Sequence, residues 1–162
     1  SQQDIWRIAK MNLTMRGIEA KNIKNADCLV DHPFEKVKAN RILANPPFNM
    51  GEWGHEKLGS DARFAKYGMP GDGKPGGNYA FMSHMIHHLD EKDGKLGLVL
   101  ANGSMSGGGK EGDIREKIPG TSSRRPSYSF CIELSICDIP DGKSTSTLSI
   151  SIYNIFFIVS PF

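Results

Sequence analysis

The chain has little cysteine, little net charge and no long apolar run. Its three cysteines, Cys28, Cys131 and Cys137, are odd in number and lack zinc-type spacing, which argues against a disulfide framework or a cysteine-rich zinc site. No apolar run approaches the roughly 20 residues that cross a bilayer, and residues 1–10 lack the order of a secretory signal. We therefore expect a cytoplasmic protein with free thiols and no membrane segment.

The net charge of +2 does not decide whether the chain binds nucleic acid, because phosphate binding depends on a local basic face. Basic residues flank the central apolar segment and follow it. They either contact DNA phosphates or are scattered, solvated charges. These residues are Lys36, Lys38, Arg41, Lys57, Arg63, Lys66 and Lys74.

The length of 162 residues predicts one domain. Apolar spacing predicts a first helix capped by Asp4, running to about Arg16 and stopped by Gly17. Its inward stripe is expected to be Ile5, Ile8, Ala9 and Leu13. Residues 18–23 are predicted to be extended, with a loop at Asn25-Ala26-Asp27.

The central part of the sequence predicts strand, helix and strand. Arg41–Ala44 is a short apolar run closed by prolines, and residues 95–101 form a second apolar run. Between them lies a long polar, glycine-rich stretch, residues 50–77, of a length that is usually functional or mobile. A helix capped by Asn78 follows, with an inward face of Phe81, Met82, Met85, Ile86 and Leu89.

The fold class predicted from this order is α/β with a mostly parallel sheet, since the strands are apolar on both faces. Alternating residues at 128–136 and 148–152, separated by Pro140-Asp141-Gly142, predict two antiparallel strands at the end of the chain.

The motif that indicates chemistry is Asn45-Pro46-Pro47-Phe48, directly after the first strand. Such a string arises by chance in roughly one chain in several hundred. The Asn45 side-chain oxygen and the Pro46 carbonyl can accept hydrogen bonds from an exocyclic amine and stabilise the positive charge that builds on it during methyl transfer. The two prolines, Pro46 and Pro47, hold the turn in a narrow range of backbone angles.

Phe48 can stack on a base that has been rotated out of duplex DNA. The other interpretation is that residues 45–48 form only a turn that ends a strand, with a core phenylalanine. The strand before the motif favours the functional interpretation.

Together with segments elsewhere in the chain, this motif resembles the methylation subunit of type I restriction-modification systems. The similarity runs from about residue 4 to residue 118. It rests on Arg7–Leu13, Arg16–Ile18, Ala44–Asn49, Trp53, Tyr67-Gly68, Asn78–Phe81, His84–Leu89 and Leu98–Met105.

The resemblance implies a Rossmann-like methyltransferase fold, S-adenosylmethionine as methyl donor and adenine in DNA as acceptor. It implies as partners DNA, a specificity subunit, a restriction subunit and a second methylation subunit. Asn45, Pro46, Pro47 and Phe48 would be catalytic, and Asp27 and Asn45 would contact the donor. An aspartate after a strand is, however, often only a turn former.

The resemblance also predicts that residues 1–162 are a partial catalytic domain, with 1–118 matching the family and 119–162 diverged. The family's glycine-rich donor loop is expected upstream of Asp4 and is not in the sequence, so the N-terminal part of the domain is predicted to be missing. Ser144 and Thr145 stand where the family places an aromatic partner of the flipped base. A truncated, diverged or frame-shifted product is one hypothesis for these departures.

Two other functions remain open. Enzymes that methylate glutamine amides in proteins share an Asn-Pro-Pro-Tyr turn and the same electronic demand, although Phe48 argues against them. The chain could also be an inactive fragment or an assembly module, because it lacks the donor loop.

Two further patterns do not predict sites. Residues 71–76 satisfy G-x-G-x-x-G but follow no convincing strand, so a flexible loop is the better interpretation. His84 and His88 have a spacing that can bind zinc, yet no third ligand is evident, so we expect structural or solvated histidines and no metal.

Overall fold

The computed structural model describes residues 2–118, 130–131 and 157–159. Four α-helices are present in these ranges: α1 (Gln2–Met15), α2 (Ala62–Ala65), α3 (Lys74–His88) and α4 (Gly109–Lys117). The strands are β1 (Arg41–Ala44), β2 (Lys95–Leu98), β3 (Phe130–Cys131) and β4 (Phe157–Val159). Short 3-10 helices lie at Ala20–Asn22, His55–Lys57 and Asn102–Met105.

The sheet is built around β1 and β2, which pair in parallel with Ile42 opposite Leu96. Parallel neighbours need a crossover connection, and α3 lies within it. The sheet order is β3-β2-β1-β4. One face of this sheet is buried against α3, and the core contains Ile42, Leu96 and Leu98 of the strands with Phe81, Met82 and Met85 of the helix. The α/β class and the parallel central strands are therefore as predicted.

Of the predicted antiparallel pair, 128–136 and 148–152, the structure describes only residues 130–131, which form β3, so their pairing stays a prediction. β3 pairs parallel with β2, and β4 pairs antiparallel with β1, so they lie on opposite edges of the sheet and do not pair with each other. The predicted strand at 148–152 and the residues Ser144 and Thr145 lie outside the described residues.

The start of α1 also differs. The helix begins at Gln2, so Asp4 lies in its first turn and is not the cap. Gly17 ends the helix with φ +70°, a value that suits glycine. Ala9 and Leu13 are buried, but Ile8 is 54% exposed and does not belong to the inward face. Residues 20–22 form a 3-10 helix, so the segment 18–23 is not wholly extended.

The stretch 50–77, which the sequence predicts to be a long functional or mobile loop, is packed and partly helical. Trp53 is 1% exposed, and its Nε1 donates to the carbonyl of Gly71 at 3.1 Å. Asp61 caps α2 by accepting from the Arg63 backbone N–H. The glycines at 71–76 lead into α3, which begins at Lys74 with Pro75 in its first turn. Asn78 therefore lies inside the helix and does not cap it.

Among the described helices, none has the length and apolar character needed to span a membrane.

Candidate active site

The turn at Asn45–Asn49 follows β1 and exposes part of its side chains. Asn45 is exposed and Phe48 is 48% exposed, whereas Pro46 is buried and Pro47 is half-buried. The described residues contain no cis peptide bond, so both prolines are trans. The polar and aromatic groups that the sequence singled out are thus accessible, on a backbone anchored by a buried proline.

Asn49 closes the turn in the left-handed region, with φ +53°. Asparagine tolerates this conformation better than most residues. Its backbone N–H donates to Oδ1 of Asn78 at 2.9 Å. The turn is therefore hydrogen-bonded to α3 at its last residue.

Asn78 connects three segments through one side chain. Besides accepting from Asn49, it donates from Nδ2 to Oδ1 of Asn49 at 3.1 Å and to Oγ of Ser104 at 3.2 Å. Asn78 is only 2% exposed. A buried amide with its groups paired fixes geometry, because breaking any of these bonds would leave a polar atom without a partner.

Tyr79 and Arg115 extend this network to α4. The Tyr79 hydroxyl donates to the carbonyl of Ser104, and Nη1 of Arg115 donates to both of these groups at 3.3 Å. The 3-10 helix that follows β2 is thereby connected to α3 and α4, beside the turn that follows β1. Both connections lie at the carboxyl ends of the two parallel strands, where open α/β sheets bind ligands.

Close backbone packing further supports the turn. A Cβ placed on Gly77 would lie 2.3 Å from the backbone oxygen of Met50, so α3 approaches the chain after the turn more closely than any other residue would allow. The backbone N–H of Val99 donates to the carbonyl of Ala44 at 3.0 Å, which fixes the end of β1.

Asp27 lies on a separate segment. Its Oδ1 accepts from the backbone N–H groups of Leu29 and Val30, and its own N–H donates to Asp31. Asp27 is exposed and stabilises its own turn. These hydrogen bonds do not connect it with Asn45 or Phe48, and its role towards a donor stays a prediction.

One of the basic residues considered for DNA phosphates is in the interior. Arg63 is 2% exposed, forms an ion pair with Asp61 at 2.7 Å and donates to the carbonyls of Cys28 and Leu29. The guanidinium holds the pKa of Asp61 at about 2. Arg63 therefore joins α2 to the turn at residues 28–31 and does not face solvent.

Sequence patterns alone missed the supporting residues. Asn78 was interpreted as a helix cap, Ser104 belonged only to the resemblance, and Arg115 had no assigned role. The available signal was an asparagine inside an otherwise apolar helix, which must find hydrogen-bond partners when buried.

Comparisons with known proteins identify the family of the chain. Residues 1–121 match the family described as N-6 DNA Methylase. The chain is similar to the type I restriction enzyme HindI methylase subunit of Haemophilus influenzae, with 44% identity over 115 residues, 70% of this chain and 25% of that protein. It is also similar to the MjaIX methylase subunit of Methanocaldococcus jannaschii, with 36% identity over 116 residues, 70% of this chain and 20% of that protein. No solved structure matches the chain.

Proposed function

The chain belongs to the N-6 DNA methylase family, and from this premise we propose that it is part of the catalytic domain of a DNA adenine methyltransferase. It spans about a quarter of the length of the HindI relative and a fifth of the MjaIX relative. The activity is therefore that of the whole protein, which acts on DNA in the cytoplasm. Its partners there are the other members of a type I restriction-modification complex: a specificity subunit, a restriction subunit and a second methylation subunit.

The fold we infer for the whole domain is the Rossmann-like methyltransferase fold, of which residues 1–118 form a part. The support is the parallel β1-α3-β2 unit with a polar turn at the carboxyl end of β1.

The observation that carries the proposal is an exposed Asn45 and Phe48 on a turn whose backbone is held from behind by buried Asn78. Asn45 Oδ1 and the Pro46 carbonyl accept from the amino group of adenine. They oppose withdrawal of its lone pair into the ring and stabilise the positive charge that develops on nitrogen. Phe48 stacks on the extruded base, and Pro47 restricts the turn.

S-adenosylmethionine would supply the methyl group, because transfer from its sulfonium releases a neutral thioether, which is a good leaving group. Asn45 and Asp27 are the residues of this chain that would contact it. Their side chains are exposed, so both can reach a ligand without repacking of the core. The amine that receives the methyl group gives up one proton to solvent.

The test is the full-length protein carrying Asn45→Ala, assembled with its specificity subunit. Loss of one preorganised polar contact to the reacting group lowers kcat by about a hundredfold or more, while DNA affinity should stay within about twofold, because phosphate contacts dominate it. The matched control is Asn22→Ala, an exposed asparagine in the 3-10 helix at Ala20–Asn22. Unchanged methylation by Asn45→Ala would reject the assignment.

Tritiated donor offered separately to plasmid DNA and to protein extract distinguishes the adenine and glutamine acceptors. Label in DNA supports the proposal, and label only in protein overturns it. Calorimetry with S-adenosylmethionine and the 162-residue chain addresses the inactive-fragment alternative, because donor binding by this chain alone would remove it.

A further inference from the structure

Three imidazoles meet where the second half of α3 packs against the turn at His32. Ligand nitrogens of His32, His84 and His88 all lie within 4.8 Å of one another. His84 is 6% exposed, His88 is 3% exposed, and His32 is half-buried. The ring centroids are 5.3 Å apart for His32 and His84, 5.0 Å for His32 and His88, and 4.7 Å for His84 and His88.

The spacing suits one metal ion. Two nitrogens bound to one tetrahedral zinc at about 2.1 Å lie about 3.4 Å apart. Nε2 of His32 and Nε2 of His88 are 2.9 Å apart, close to that spacing. In the other two pairs the ligand nitrogens are at most 4.8 Å apart. They must approach each other by at most about 1.4 Å to reach the zinc spacing, and rotation of the rings can supply this movement.

The backbone places the third ligand. His84 and His88 are four residues apart on one face of α3, a spacing that lets two histidines share a metal. His32 comes from a distant segment and has φ +43°, in the left-handed region. Residues held in that region are often constrained by a function of the site.

The hydrogen bonds leave a lone pair directed into the cluster. Nδ1 of His88 donates to the carbonyl of Val37 at 2.7 Å, so its neutral ring has an unprotonated Nε2. A carbonyl that fixes the second ring nitrogen in this way is a regular companion of metal-binding histidine. Nε2 of His32 then donates to Nε2 of His88 in the metal-free cluster.

The rings are also in the protonation state that coordination requires. Burial, followed by the charge of Arg63, lowers the pKa of His32 to about 4. Burial, followed by His88 and Arg63, lowers the pKa of His84 to about 2, and burial lowers that of His88. All three are neutral at pH 7.

We propose that His32, His84 and His88 bind one divalent transition-metal ion of the zinc class, with water as the fourth ligand. Three neutral imidazoles select this class over Mg²⁺ and Ca²⁺, which prefer oxygen ligands. The ion cross-links the turn at His32 to α3. No proton need be lost overall, because the His32 proton moves from Nε2 to Nδ1 through solvent as Nε2 binds the ion.

The positive charge of Arg63 opposes the binding of a cation at this site. Its Nη1 donates to Nδ1 of His84 at 2.8 Å. If His84 binds through Nδ1, this hydrogen bond is exchanged for the metal bond. Arg63 keeps its hydrogen bonds to the carbonyls of Cys28 and Leu29, and the carboxylate of Asp61, which is paired with it, offsets its charge.

The test is titration of the full chain with Co²⁺, followed by displacement with Zn²⁺. We expect one equivalent of Co²⁺ to give the strong visible absorption of a four-coordinate site. Zn²⁺ at a hundredfold excess over its Kd should raise Tm by roughly 5–20 °C, the shift expected from stabilising the folded state alone. No saturable Co²⁺ absorption, or no displacement by Zn²⁺, would overturn the proposal.

The informative variant is His32→Asn, because asparagine tolerates a positive φ and binds zinc poorly. It should weaken Co²⁺ binding at least tenfold. The matched control His87→Gln, which changes a neighbouring histidine on the same helix, should leave affinity within about twofold. Equal weakening by both variants would contradict the three-ligand site.

If His32→Asn fails to fold, NMR of the unmodified chain decides. Bound Co²⁺ should shift the ring resonances of three histidines far from their usual positions. Shifts confined to His87 or His55 would overturn the assignment.

Discussion

The two halves of α3 hold different polar clusters. The first half contains Asn78 and Tyr79, whose amide and hydroxyl connect the turn after β1 to Ser104. The second half contains His84 and His88, whose imidazoles face His32. The first cluster is made of amide, hydroxyl and guanidinium groups, and the second is made of imidazoles.

The two clusters therefore have different effects: the first supports the turn after β1, and the second makes stability depend on pH. The first cluster fixes the turn after β1, whose Asn45 and Phe48 remain exposed. Its rigidity therefore holds two exposed side chains in place. The second cluster is largely inside the protein, and its imidazoles must stay neutral to remain there. Substitutions and acid should therefore act on one half of the helix at a time.

The largest effect on stability should come from Gly76→Ala, at the start of α3. A Cβ there would lie 1.6 Å from the carbonyl oxygen of Gly71. That oxygen accepts from buried Trp53, so it cannot easily move. We expect a loss of more than about 4 kcal/mol in the free energy of unfolding, measured by chemical denaturation.

The matched control for Gly76→Ala is Gly59→Ala, where no heavy atom lies within 4 Å of the new Cβ and φ is not positive. It should change stability by less than about 0.5 kcal/mol. Equal effects of the two substitutions would show that the described approach of Gly76 to Gly71 is wrong.

The second prediction breaks the first cluster without steric overlap. Asn78→Leu should lower the free energy of unfolding by about 2–3 kcal/mol, because it leaves the Asn49 N–H and Ser104 without their partner. In the full-length enzyme it should also reduce methyl transfer, because the turn loses its support. Denaturation and turnover measure the two effects.

Ser83→Ala is the control on the same helix. Ser83 Oγ is buried and has no hydrogen-bond partner among the described residues. Its removal should be neutral or slightly stabilising. If Asn78→Leu were as mild as Ser83→Ala, the network around Asn78 would have no structural importance.

The third prediction concerns acid and the second cluster. The pKa of His84 is lowered to about 2 in the folded chain, so below pH 6.5 the unfolded chain binds a proton that the folded chain does not. Stability is fully present above pH 6.5 and is lost as pH falls, by about 1.4 kcal/mol per pH unit for this residue. The groups that act on His84 are His88, Arg63, His32 and His87. Asp61 lies beside His32 and Lys38 beside His88 in the same cluster.

Denaturation at pH 7.5, 6 and 5 measures this slope. Asp61 keeps its charge over the range because Arg63 holds its pKa at about 2. The variant His84→Gln should reduce the slope to the part that His32 and His88 contribute, whereas Asn78→Leu should lower stability equally at each pH. A flat profile for the unmodified chain would contradict the neutral cluster.

The sequence predicted the local structure around both clusters better than it predicted the contacts within them. β1 has the predicted bounds, Arg41–Ala44, because an apolar run ended by two prolines allows little else. α3 begins at Lys74, before the predicted cap Asn78, because Pro75, Gly76 and Gly77 resemble a loop, although proline suits a first helical turn. His32 was missed as a partner of His84 because tertiary packing alone brings them together.

The last prediction concerns the exposed part of the first cluster and has the smallest effect on folding. Phe48 is 48% exposed, so about half of it is removed from water, and Phe48→Ala should lower the free energy of unfolding by only about 1 kcal/mol. Base stacking on an aromatic ring contributes about 1–3 kcal/mol, so methyl transfer by the full-length enzyme should fall about tenfold or more. Phe48→Tyr retains the ring and should restore most of it. A large loss of stability in Phe48→Ala, with transfer unchanged, would mean that Phe48 belongs to the core and would remove the distinction between an exposed, reactive turn and its buried support.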